Sequence, residues 1–156
     1  FINFVNNHFW LFNKGCLQLG AFPEIPAVVE MTPVDLLARA IVALLLAPRD
    51  GLAVCNLANP QELSLHDFFG RLAGLGFEAK GEAAEAWQAR LANLSEENGR
   101  TQIKEFYTGD ISTPSFPVEQ SRTLNELNRL GVAPDVNYDT LLPIYVRYLR
   151  ETGFLS

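Results

Sequence analysis

Met31-Thr32-Pro33-Val34-Asp35-Leu36-Leu37-Ala38-Arg39-Ala40-Ile41-Val42 decides the reading of this chain. Thr32 is a helix-capping residue type and Pro33 suits a first helical position. Asp35 can close a capping box and favours the positive end of the helix dipole. The spacing predicts a helix to about Leu46, with Val34, Leu37, Ala38, Ile41, Leu44 and Leu45 turned inward and Pro48 ending it. Before it, 27–31 reads as a short apolar strand. After it, Asp50-Gly51 is a turn and 52–57 reads as a buried strand, broken by Asn59-Pro60.

Toward the C-terminus, Ser64-Leu65-His66-Asp67 is a second capping box. Leu65, Phe68, Phe69, Leu72 and Leu75 follow at helical spacing until Gly74 and Gly76 stop the run. Residues 77–80 alternate apolar and polar, which predicts a short strand. Residues 82–94 are alanine-rich and helical, with Ala83, Ala86, Trp87, Arg90 and Leu91 on one side. Ser95 can cap a further helix to 107, and 108–117 is the longest loop. Ser121 opens a helix that ends at Gly131, and 132–136 is extended. Asn137 caps a last helix, ended by Gly153, with Leu141, Tyr145, Tyr148 and Leu142, Val146, Leu149 as apolar stripes and Pro143 in its first turns.

Toward the N-terminus, Ile2, Val5, Phe9, Phe12, Cys16 and Leu19 recur at steps of three and four. Phe1, Phe4, Trp10 and Leu11 add apolar surface on other faces, so this helix needs partners on several sides. Gly15 and Gly20 loosen its end, and Pro23 and Pro26 force an extended turn. The sum is a mainly helical α+β subdomain spanning 1–156, with about six helices and two to four short strands. The only methionine is Met31 and the chain opens at Phe1, so the expectation is a piece of a longer polypeptide.

Composition narrows the function. With 48% hydrophobic and 19% charged residues in 156, the chain fits one packed domain rather than a disordered tail. A net charge of −6 argues against nucleic acid and against an anionic membrane surface, both of which select for Lys and Arg. The longest apolar run, 41–47, is too short for a bilayer. Cys16 and Cys55 make no disulfide framework, and with no targeting signal they suggest a cytoplasmic protein.

Recognisable chemistry is missing. A dinucleotide site needs a glycine-rich turn between a strand and a helix. Gly70, Gly74 and Gly76 have the wrong spacing and sit at a helix end. No P-loop and no Gly-x-Ser-x-Gly elbow occurs, no Tyr is followed four residues later by Lys, and His8 and His66 are too far apart to suggest zinc. No catalytic, cofactor-binding or metal-binding residue is expected on this chain.

The order of segments resembles the C-terminal part of the thioester reductase domains of non-ribosomal peptide synthetases and carboxylic acid reductases, which are extended short-chain dehydrogenases. The residues that carry it are Lys14-Gly15-Cys16-Leu17-Gln18-Leu19-Gly20-Ala21-Phe22-Pro23, Met31-Thr32-Pro33-Val34-Asp35 and Ala38-Arg39-Ala40-Ile41-Val42. Asn56-Leu57-Ala58-Asn59-Pro60, Leu65-His66-Asp67-Phe68, Tyr148-Leu149 and Gly153-Phe154-Leu155 continue it. Such domains have an N-terminal Rossmann half that binds NADPH and carries a Thr/Tyr/Lys catalytic set. Their second half closes over it and shapes the substrate channel.

The resemblance implies that this chain is the substrate-binding subdomain, without the nucleotide-binding half. Its implied partners are that Rossmann half and an acyl or peptidyl carrier protein with its phosphopantetheine arm, and NADPH would be bound only by the complete domain. The complete domain would release a carrier-bound thioester as aldehyde or alcohol, and the isolated chain would be inactive.

Residue by residue, the resemblance places Met31, Thr32 and Pro33, with Asp35, on the substrate channel, although helix capping is the plainer reading of the last three. It places Asn6, with Asn3 and Asn7, near the pantetheine arm, where a polar helix face is the plainer reading. Phe9 and Phe12, with Trp10, would form an acyl pocket or else core packing. His66 is most simply a first-turn residue and the two cysteines buried thiols. Lys104, Arg122, Arg129, Arg147 and Arg150 are scattered docking candidates. A second class of function is a catalytically inactive helical module that binds a carrier protein or synthetase partner. A third is the substrate domain of a nucleotide-sugar epimerase or dehydratase, which would want a cluster of cations for the diphosphate that this sequence lacks.

Overall fold

The computed structural model describes residues 7–48, 54–93, 118–132 and 136–155. The predicted helix 95–107 and loop 108–117 lie outside the described residues, as do most of the extended stretch 132–136 and the start of the first helix.

Helix α1 (His8–Leu19) begins at Asn7, whose side chain accepts a hydrogen bond from the Trp10 amide at 3.2 Å. It ends at Gly20, left-handed at φ 66°, which L side chains rarely adopt. The turn expected around Pro23 is instead strand β1 (Ala21–Pro23). It pairs in parallel with the distant β4 (Lys80–Glu82), which begins at the last residue of the strand expected at 77–80. Phe77 and Ala79 still pack on the core, but the ladder starts where Ala21 meets Lys80. The strand expected at 27–31 shortens to β2 (Val28–Val29), antiparallel to β3 (Leu63–Ser64).

Three helices follow the expected pattern closely. α3 (Leu65–Gly74) is capped by Ser64, whose hydroxyl oxygen accepts from the Asp67 amide at 3.0 Å and lies 2.7 Å from the Asp67 carboxylate. Ser64→Ala is expected to cost about 1 kcal/mol in urea unfolding; an unchanged midpoint would show that the cap carries nothing. α4 (Ala84–Ala92) buries Trp87 and Leu91. Arg90, expected on that apolar side, reaches back outside the core to pair with Glu82 and to donate to the Leu19 carbonyl at 2.9 Å. α6 (Tyr138–Glu151) is capped by Asn137, which accepts from the Asp139 amide at 2.8 Å.

These elements share one core. Trp10 and Phe12 of α1, Phe68 and Phe69 of α3, Trp87 of α4 and Leu142 of α6 are all within it. Phe22 stacks flat on Phe69, with centroids 4.3 Å apart, and so seats β1 on α3. A smaller second cluster joins α2 (Val34–Leu46) to α5 (Ser121–Arg129) through Ala40, Leu44 and Leu127.

The expected facing of α2 is corrected. It buries Leu36, Ala40 and Leu44, whereas Val34, Ile41 and Leu45, expected inside, are exposed. The cause is that α2 is apolar nearly all round, so periodicity marks more than one stripe and the position of α5 chooses between them. The buried strand expected at 52–57 is also corrected. Its described part, 54–57, joins no ladder, and Val54 is 80% exposed. The Asn56 amide donates to the Glu119 carbonyl at 2.8 Å, and the Ala58 N–H to Gln120 Oε1 at 3.1 Å, so this stretch is tied to the approach to α5 instead.

Candidate functional site

The segment 31–35 is held from two sides. Asn59, 5% exposed, donates from Nδ2 to the Met31 carbonyl at 3.2 Å and accepts from the Gln61 amide at 3.0 Å. The Tyr138 hydroxyl donates to the Val29 carbonyl at 3.3 Å. The exit of β2 is therefore pinned by the approach to β3 and by α6. Met31 is buried, while Thr32 and Pro33 are half-buried.

The expected cap of α2 does not form. Pro33 is extended (φ −59°, ψ 135°), so the first helical residue is Val34 and Pro33 occupies the cap position without a capping side chain. Thr32 is then one residue too early, and its hydroxyl donates to Glu30 at 3.3 Å. Asp35 closes no box; it faces Arg39 across one turn at 3.9 Å, both exposed. Thr32 and Pro33 thus stand on the surface beside α2 with their side chains uncommitted to its backbone.

An aromatic chain leads from the core toward this segment. The Phe9 ring meets Phe68 at 5.4 Å and Trp10 at 5.2 Å, and Trp10 meets Tyr145 at 6.2 Å, each edge to face. Such contacts add to burial because ring edges are positive and faces negative. Tyr145 senses the Asp35 charge: burial first, then that carboxylate, pushes its phenol above the ordinary range. Of the expected channel residues, Phe9 packs against the same core cluster that contains Met31. Phe12 is buried against Trp87, 5.8 Å between centroids, as a packing residue. Asn6 lies outside the described residues.

Three polar groups in this region were not expected at the site, and of these only Asn59 belongs to a sequence motif, the Asn56-Leu57-Ala58-Asn59-Pro60 stretch. Asn59 and Tyr138 form the latch just described. Asn13 is 1% exposed, with Nδ2 donating to the Phe9 carbonyl at 2.8 Å and Oδ1 without a partner. The only signal for Asn13 is a polar residue in a helix apolar on several faces.

Burial raises the Tyr138 pKa, and Glu30 adds to this, against hydrogen bonds from the Met31 backbone and the Asn59 side chain. A phenol raised above its unfolded value contributes stability below about pH 10 and loses it as pH rises through the folded pKa. Alkaline unfolding is therefore expected to begin above about pH 10 and to be shallower in Tyr138→Phe, read by circular dichroism against pH. Identical pH profiles would contradict the assignment. Burial also pushes the Cys16 thiol far up, which agrees with an inert core thiol.

The remaining candidates are on the surface. His66 is exposed on the first turn of α3, against the edge of Phe22 at 6.2 Å. Arg129 pairs with Glu126 at 2.9 Å. Arg150 donates to the Leu75 carbonyl at 2.7 Å and lies over the Phe77 ring at 4.5 Å. Lys104 is outside the described residues. A groove of about 210 Å³ runs between α1, the approach to β4 and Phe154, with Lys14, Gln18 and Glu78 on its wall. A second, of about 220 Å³, lies between α3 and α6 beside Tyr138 and the Arg71–Asp139 ion pair.

A pyrophosphate is held by a glycine turn that opens a helix. Here the positive-φ glycines Gly20, Gly76, Gly131 and Gly153 follow helices instead. Among the described residues no three His, Cys, Asp or Glu side chains come together as a metal site, and no helix is long and apolar enough to cross a membrane.

With this geometry in view, comparison with known proteins defines the fold. The terminal R domain from the myxalamid PKS-NRPS biosynthetic pathway superposes with a TM-score of 0.85 at 22% identity, covering 97% of this chain and 40% of that one. A thiolation-reductase di-domain from an archaeal non-ribosomal peptide synthetase gives 0.76 at 20% identity, covering 97% and 32%. The chain therefore has the mainly helical fold of the C-terminal subdomain of such reductase domains.

In sequence, it is similar to L-2-aminoadipate reductase of Schizosaccharomyces pombe, at 26% identity over 155 residues, and of Saccharomyces cerevisiae, at 27% over 164. These cover 91% and 92% of this chain, matching the C-terminal part of much longer proteins. The chain spans about a tenth of the length of these relatives, 11% in both cases. No protein-family model matches it. The resemblance to reductase domains seen in the sequence holds in both comparisons.

Proposed function

We propose that this chain is the substrate- and carrier-binding part of an NAD(P)H-dependent thioester reductase. The observation that supports this most is a fold shared over 97% of its length with reductase-containing chains of which it covers 40% or less. The complete domain would take an acyl or peptidyl chain from a carrier's phosphopantetheine arm and release it as aldehyde or alcohol. NADPH and the hydride chemistry would belong to the Rossmann half.

This chain's own contribution is positioning. Met31, Thr32 and Pro33 form a wall that Asn59 and Tyr138 hold through the carbonyls of Met31 and Val29, and Phe9 packs on the same core as Met31. Holding a thioester in a fixed pose removes much of the entropic part of a barrier without donating any chemical group. The carrier is the proposed macromolecular partner, a reading supported by the thiolation domain joined to one structural neighbour.

The test is product analysis. The complete reductase domain, given an acyl-loaded carrier domain and NADPH, is expected to release the aldehyde or alcohol in an NADPH-dependent manner, read by mass spectrometry. Release of free acid, or none, would overturn the proposal. No release together with tight carrier binding would favour the inactive interaction module.

A further inference from the structure

The sequence and the structure disagree about α2 in an informative way. Val34, Ala38, Ile41 and Leu45 stand at i, i+4, i+7 and i+11, which places them in one stripe along the helix. The periodicity marks this stripe as buried, yet all four residues are exposed, Val34 at 80% and Leu45 at 77%. Val42 and Leu46 widen the stripe, and the opposite face already rests on α5. The exposed Asp35–Arg39 pair borders the apolar surface. Contiguous apolar patches of this kind are uncommon on free surfaces and mark contacts.

A second observation lies just past the same helix. Cys55 and Leu57 pack on the cluster of Ala40, Leu44 and Leu127, while Val54 is 80% exposed, so this segment too leaves an apolar side chain outside. Apolar side chains left outside on a helix stripe and on the segment after it are what remains when a body that covers both is taken away.

We infer that the outer stripe of α2, with Val54 just past the helix, is the surface on which the other half of the reductase domain packs. The occupant follows from what the solved relatives contain. Nearly all of this chain superposes on them, yet 60% or more of each lies beyond it, enough for a sheet-containing body. The chain's own first helix, apolar on several faces, is already engaged in the described core through Trp10, Phe12 and Cys16. The inference rests on the proposed function and sharpens it by naming the surface.

The test places two charges on the stripe, Ile41→Glu with Leu45→Glu, in the complete reductase domain and in this chain alone. In the complete domain the pair is expected to lower Tm by about 5–10 °C, because two carboxylates would be buried at the contact. In the isolated chain it is expected to shift Tm by less than about 2 °C. No shift in either form would overturn the inference. A comparable fall in the isolated chain would also overturn it, by showing that 94–117 or another part of this chain covers the stripe. An isolated chain that is a dimer and becomes a monomer on substitution would assign the stripe to a second copy instead. Thermal stability is read separately from NADPH consumption. An unreactive wild-type domain with the expected Tm pattern would sink the reductase reading while leaving the interface standing.

Discussion

Replacing Trp87 by alanine is expected to destabilise the fold by about 3–5 kcal/mol. Trp87 is fully buried, and it joins elements far apart in sequence. Its indole N–H donates to the Ala21 carbonyl at 3.0 Å, across 66 positions, and its ring lies 5.8 Å from Phe12. Truncation removes the largest side chain among the fully buried residues and opens a cavity between α4, β1 and α1. Domains of this size hold about 5–15 kcal/mol in all, so the loss is a large part of the total. Trp87→Phe keeps most of the apolar contact and leaves the Ala21 carbonyl without its donor, for an expected loss of about 1–3 kcal/mol. Urea unfolding of both variants measures the two contributions. Losses below about 0.5 kcal/mol in both would show that α4 is not anchored through this residue.

Asn59→Leu is expected to cost about 2–4 kcal/mol, although the side chains are similar in size. The substitution strands the Met31 carbonyl, and an unpaired buried polar group costs more than a made hydrogen bond returns. In the complete reductase the same change loosens the segment from Met31 to Pro33. The expected signature is a raised KM for the acyl thioester with the KM for NADPH unchanged. A stable variant with both constants unchanged would remove Asn59 from the account of the channel wall.

Local signals carried much of the secondary structure. Ser64 and Asn137 are capping residues followed by clear apolar periods, and both cap the helices they announce. These patterns are legible because every interaction involved lies within one turn of helix. The parallel pairing of β1 with β4 was not legible. It is three residues long, joins positions about sixty residues apart, and in β4 rests on Lys80-Gly81-Glu82, a sequence without strand character. The cap of α2 failed for a local reason: Pro33 stayed extended, which moved the helix start past the reach of Thr32.

The site was legible only in part. The aromatics at Phe9 and Phe12 announce a packed helix, but not which of them turns toward Phe68 and which toward Trp87. Asn59 appears in the sequence as a strand breaker before Pro60, and its role depends on a carbonyl 28 residues away. The facing of α2 is the sharpest case. Its period was readable and its two apolar stripes were both real, but the choice between them belongs to whatever packs on each.

The central claim is that this chain is one part of a two-part thioester reductase and supplies no cofactor site itself. It is tested most directly by following NADPH absorbance with an acyl-pantetheine thioester, with the complete domain and the isolated chain run side by side. Consumption by the complete domain and none by the chain alone is the expected result. Consumption by neither, with the isolated chain a stable monomer, would contradict the claim and leave an interaction module.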